Sequence, residues 1–117
     1  MKHGDNEMKQ TKAKLGTVIH ATVNPRDLIP AFIEELDRLR EAESFNSGRT
    51  IVYGREDDAL GEIERGMSAD GYYDSESSMH DLEWLFDRLD EYAPDGCYFG
   101  AHEGDGSDFG FWQGSAE

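Results

Sequence analysis

Hydrophobic and polar positions along the chain follow three rhythms, and each rhythm predicts an element. Thr17 to Val23 is mostly β-branched and is bounded by Gly16 and by Asn24-Pro25, which predicts a first strand. From Leu28 the rhythm changes. Leu28, Ile29, Phe32, Ile33, Leu36 and Leu39 recur on one side at about 100° per residue, with Glu34, Asp37 and Glu41 opposite. This pattern predicts an amphipathic helix capped by Asp27, with Pro30 at its third position, where a missing N–H costs little. A thinner stripe of Leu60, Ile63 and Met67, interrupted by Gly61, predicts a second helix over Glu56–Met67. The third helix is the clearest: Met79, Leu82, Leu85, Phe86, Leu89 and Tyr92 share an arc of roughly 140°. Ser78 is its expected cap, with Asp81 three residues on, and Pro94-Asp95-Gly96 ends it.

The connections carry weaker signals. Ser44 to Gly48 reads as a loop, Arg49 to Tyr53 as a short strand, and Ser68 to Ser77 as a polar loop broken by Tyr72-Tyr73. Cys97 to Trp112 reads as a β-hairpin around a glycine and aspartate loop. If the hairpin is symmetric about Asp105, Cys97, Phe99, Ala101, Phe109 and Phe111 face the core. The opposite face then carries Tyr98, Gly100, His102, Asp108, Gly110 and Trp112, pairing glycine with glycine, Tyr98 with Trp112 and His102 with Asp108. The expected architecture is one α+β domain from residue 15 to 117: a small antiparallel sheet of the N-terminal strand and the hairpin, covered by two to three amphipathic helices.

Charge adds a second layer. The 117 residues include 26 acids and 11 bases, a formal net charge of −15. All four lysines fall in residues 1–14, which have no apolar stripe and read as a flexible basic tail, not a secretory signal. The remainder has 24 acids and seven arginines, a net −17. Such a body repels nucleic-acid phosphates and anionic membranes, so direct binding to either is excluded. No apolar run is long enough to span a bilayer. Leu, Ile, Val and Phe make up only 22 residues, but thirteen aromatics supply the burial that a folded domain needs. Cys97 is the only cysteine, so neither an intrachain disulfide nor a cysteine zinc site is available, and a cytoplasmic location is expected.

Chemistry of catalysis is not apparent. Cys97 alternates inward in a strongly negative body, without the electropositive setting that a nucleophilic cysteine needs. His20 and His80 stand at no recognisable spacing to a serine nucleophile, and no glycine-rich phosphate cradle precedes a helix. The loop from His102 to Asp108 brings three carboxylates together but lacks the full calcium-loop pattern. No enzyme activity, cofactor or metal is expected.

Two binding readings remain. Asp81, Glu83, Asp87, Asp90 and Glu91 lie on the third helix against a single Arg88, over about 21 Å of axis for residues 79–92. One DNA strand presents a phosphate about every 3.4 Å of axis, so the charge densities are comparable. Trp84 falls outside the apolar arc, beside Asp87 and Glu91, and is expected to be an exposed anchor. The first reading is therefore phosphate mimicry toward a basic nucleic-acid-binding protein through these six residues. The second is a small-ligand or metal groove on the hairpin, built from Tyr98, Gly100, His102, Asp108, Gly110 and Trp112. Salt adaptation would produce the same acidity without a partner, and a salt-adapted protein would unfold near 0.1 M salt.

Asp27-Leu-Ile-Pro-Ala-Phe32, Tyr92-Ala-Pro94, Tyr98-Phe-Gly-Ala-His102, Gly104-Asp-Gly106 and Asp108-Phe-Gly-Phe-Trp112 together resemble small acidic proteins of phages, plasmids and integrated elements. The similarity covers about a quarter of the chain, and Glu103 stands where proline is expected after the histidine. It assigns no catalytic or binding residue. It implies an accessory gene of a mobile element, and such genes often encode inhibitors of host nucleases or of restriction and CRISPR systems, some of them acidic phosphate mimics.

Overall fold

The computed structural model describes residues 12–48, 51 and 53–114. Its order is β1 (Gly16–Ile19), α1 (Pro25–Ser47), α2 (Arg55–Met67), a 3-10 turn (Tyr72–Asp74), α3 (Glu76–Asp90), β2 (Cys97–His102) and β3 (Asp105–Gln113). The three strands form one antiparallel sheet in the order β1-β3-β2, so the protein has the α+β class that the patterning predicts.

The helical stripes are buried with one exception: Met79, expected in the third stripe, stands exposed in the first turn of α3, ahead of the segment that packs on the core. Leu28, Ile29, Phe32, Ile33, Leu36 and Leu39 of α1 are all in the core, as are Leu82, Leu85 and Leu89 of α3. They meet the inner face of the sheet through an aromatic cluster. Phe32 lies edge-on to Phe86 at 5.2 Å and to Phe99 at 5.0 Å, and Phe99 reaches Phe111 at 4.8 Å. Offset and edge-on pairs of this kind are favourable beyond their buried area. The expected inward set of the hairpin holds: Phe99, Phe109 and Phe111 are buried, and Cys97 and Ala101 pack beside them.

Element ends depart from expectation, each for a local reason. β1 stops at Ile19 rather than Val23, because Ala21 takes a left-handed conformation at φ 67° and leaves the ladder. Asn24, not Asp27, caps α1: its side chain accepts from the Arg26 N–H at 3.0 Å, and Pro25 takes the first helical position. Asp27 instead accepts from the Thr22 hydroxyl at 2.7 Å. Pro30 consequently lies inside the helix, at an exposed position where water can replace the bond its nitrogen cannot make. The expected loop at Ser44–Gly48 is the last turn of α1, which continues to Ser47 and is stopped by Gly48 at φ 79°.

At α3 the 3-10 turn brings the chain round earlier, so Ser75 is the cap and accepts from the Ser78 N–H. Ser78, expected as the cap, is fully buried, and its hydroxyl donates to the Ser75 carbonyl at 2.8 Å. Of the expected strand at 49–53, Arg49, Thr50 and Val52 lie outside the described residues, and Ile51 and Tyr53 carry no strand pairing. The expected tail lies mostly outside them too. Ala13, however, is buried and donates its N–H to the Tyr92 carbonyl at 2.9 Å, so ordered chain begins before residue 15.

Candidate functional site

The acidic residues of α3 divide by what they touch. Asp81 accepts from the Tyr72 hydroxyl at 2.6 Å and fastens the 3-10 turn to the helix. Burial and that carboxylate push the Tyr72 hydroxyl well above the usual tyrosine range. Asp90 accepts from the Phe99 N–H at 2.9 Å and ties the end of α3 to the edge strand β2. Glu91 pairs with Arg88 at 2.6 Å. Glu83 and Asp87 are exposed and engage no other described residue. At 100° per residue Glu76, Glu83, Asp87, Asp90 and Glu91 fall within a stripe about 100° wide, all of them exposed. Arg88 lies outside that stripe.

Trp84 is not the exposed anchor that its place in the helical wheel implies. It lies beside the acidic stripe and outside the apolar arc, yet it packs against the core and is half-buried. The Arg88 guanidinium lies 5.9 Å from its ring centroid, at the outer limit of a cation–π contact. Trp84 also lines a cleft of about 680 Å3 between α2 and α3. Glu62 enters this cleft from α2, Asp70 and Tyr72 from the connection, and His80 and Asp81 from α3. Among the described residues no lysine or arginine lines it. Patterning along the chain did not single out this cleft. The only signal was the Tyr72-Tyr73 pair in an otherwise polar stretch, and its packing partner lies on another element.

The hairpin face takes the expected register in its straight part: Tyr98 is opposite Trp112 and Gly100 opposite Gly110. The His102–Asp108 pair does not form. The chain turns tightly at Glu103-Gly104, so His102 pairs with Asp105 and a bulge absorbs the residues between. Asp105 caps its own loop by accepting from the Ser107 N–H and hydroxyl, and these bonds hold its carboxyl below the usual range. Asp108 turns to β1 and accepts from the Thr17 hydroxyl at 2.8 Å. His102 stands edge-on to Trp112 at 4.7 Å.

The glycine floor is also occupied. A side chain at Gly110 would fall 2.1 Å from the Gly16 carbonyl oxygen, because the backbone of β1 lies there. At Gly100 the Tyr98 ring is 3.4 Å from where a Cβ would sit, and the Trp112 indole donates to the Gly100 carbonyl at 3.0 Å. The residues expected to wall a groove therefore fill it. Among the described residues no group of three or more histidines, cysteines or carboxylates is placed to hold a metal, and no helix is long and apolar enough to cross a membrane.

A second charged assembly joins α1 to the segments before α2 and after α3. The Tyr53 and Tyr92 hydroxyls both donate to the same Glu43 oxygen, at 2.7 and 2.6 Å. Arg40 stacks on the Tyr53 ring at 4.0 Å and pairs with Asp57 and Glu56. Its groups are taken up by one another, so it reads as a structural junction. Comparison with protein-family models, curated proteins and solved structures finds no match to this chain.

Proposed function

We propose that this protein is a non-enzymatic ligand for a basic protein, and that α3 occupies a surface which otherwise holds a nucleic-acid backbone. The observation that carries this reading is the exposed stripe of α3. Glu83, Asp87, Asp90 and Glu91 lie exposed along about 12 Å of helix axis. Glu83 and Asp87 engage no other described residue, while Asp90 also accepts from the Phe99 N–H and Glu91 is paired with Arg88 at the edge of the stripe. The mean axial spacing of the four, about 4 Å, is close to the roughly 3.4 Å per phosphate along one DNA strand. A rigid helix presents these charges without the ordering cost that a flexible acidic tail would incur. The resemblance to acidic proteins of mobile elements points to host nucleic-acid-handling proteins, including defence nucleases, as the partner class.

The reading is tested with proteins that a cell lysate yields to immobilised duplex DNA. These are applied to the immobilised protein and eluted first with free DNA, then with rising salt. A bound protein released by free DNA, and not retained by a Glu83→Lys, Asp87→Lys, Glu91→Lys variant, is the expected result. Asp90 is left intact there because it holds Phe99. If nothing is retained at low salt, or if the charge-reversed variant retains the same proteins, phosphate mimicry is wrong.

A further inference from the structure

We infer that the cleft between α2 and α3 receives an arginine side chain of that basic partner; the inference rests on the reading above and names where the partner is gripped. Three features of the cleft select a guanidinium. Its charged lining is anionic, with Glu62, Asp70 and Asp81 present and no lysine or arginine among the described residues. Trp84, the aromatic side chain best suited to a cation, forms part of the wall. A planar, weakly hydrated guanidinium can stack on an indole and bridge carboxylates, whereas an ammonium keeps its water more tightly. The cleft is open to solvent and, at about 680 Å3, has room for an arginine side chain.

The wall is pre-formed. The Tyr72–Asp81 bond ties two residues of the lining together, and the Tyr72 ring lies 3.4 Å from where a Cβ at Gly66 would sit, which packs the turn against α2. Asp81 keeps a second carboxylate oxygen, since Tyr72 uses only Oδ2. The position also follows from the helix. Trp84 and Asp81 lie on the flank of α3 next to the acidic stripe, so a partner seated along the stripe has the cleft beside it.

The test titrates the full, 15N-labelled chain with an acetylated hexa-arginine amide and, separately, a hexalysine amide at about 0.05 M salt. The two tryptophans give two indole N–H signals, with Trp112 as the internal control. Hexa-arginine should move the Trp84 signal and leave Trp112 in place, and hexalysine should bind several-fold more weakly. A Glu62→Gln, Asp70→Asn variant should weaken hexa-arginine about fivefold, as expected for two partly exposed ion pairs, and lose the preference over lysine. Both residues are exposed and bond to no other described residue, so the fold should be kept. An unmoved Trp84 signal, equal binding of the two peptides, or parental affinity in the Glu62/Asp70 variant overturns the cleft inference. If binding is then still lost on reversing Glu83, Asp87 and Glu91, the acidic-stripe reading stands without it. If neither peptide binds, both fail.

Discussion

Gly100 and Gly110 face each other across β2 and β3, and they differ in what lies above them. Gly110 is covered by main chain, with the Gly16 oxygen at 2.1 Å and the Thr17 Cα at 2.9 Å from a built Cβ. Gly100 is covered by the movable Tyr98 ring at 3.4 Å. Gly110→Ala must therefore push β1 off the sheet and should cost more than about 2 kcal/mol, whereas Gly100→Ala should cost under about 1 kcal/mol. Urea midpoints of the two variants check this, and equal losses would mean that β1 does not lie as described. The pairing of the two glycines was legible from alternation. Their unequal cover was not, because β1 is some ninety residues away in the chain. Asp81, Asp90 and Asp108 teach the same lesson: each bonds to a group on another segment that no local pattern indicates.

Among elements, the stripes were legible and the ends were not. Asn24 and Asp27 are both good caps, as are Ser75 and Ser78, and the path of the incoming chain selects between them. The junction of Glu43 on α1 with Tyr53 before α2 and Tyr92 after α3 was invisible to periodicity for the same reason. It has a measurable signature. Burial and the Glu43 carboxylate push the Tyr53 hydroxyl up to about 12 from an ordinary 10.0, and push Tyr92 higher still. The unfolded chain loses these protons first, so above pH 10 it binds fewer protons than the folded one and stability falls. Stability from this junction should be complete below about pH 10 and decline as pH rises through about 12. Urea midpoints across that range should fall less steeply in Tyr92→Phe than in the parent. An identical slope would count against the shared carboxylate.

For the whole molecule the governing quantity is a net charge of −15, and three of the described arginines are already paired with neighbours: Arg38 with Glu35, Arg40 with Asp57, Arg88 with Glu91. Self-repulsion of that size destabilises the compact state and is screened over about 10 Å at 0.1 M salt. The aromatic core should nevertheless hold the fold at about 0.1 M sodium chloride, giving a cooperative melt whose Tm rises by a few degrees toward 1 M. A chain that folds only in molar salt would assign the acidity to salt adaptation and remove the basis of the proposed partner.

Composition and periodicity were enough to establish the α+β class, most of the buried faces of the helices, the inward side of the hairpin and the strong negative charge of the body. All of these follow from repeats of two or about four residues and from summed charge, which are properties of a chain at short range. Packing settled the rest. It put Asp81 and Asp90 to internal use, closed the hairpin groove with the protein's own rings and backbone, and drew Trp84 from the surface into a cleft. Those outcomes depend on which elements meet, and side chains on different elements are brought together by the shape of the core, to which a one-dimensional pattern is blind.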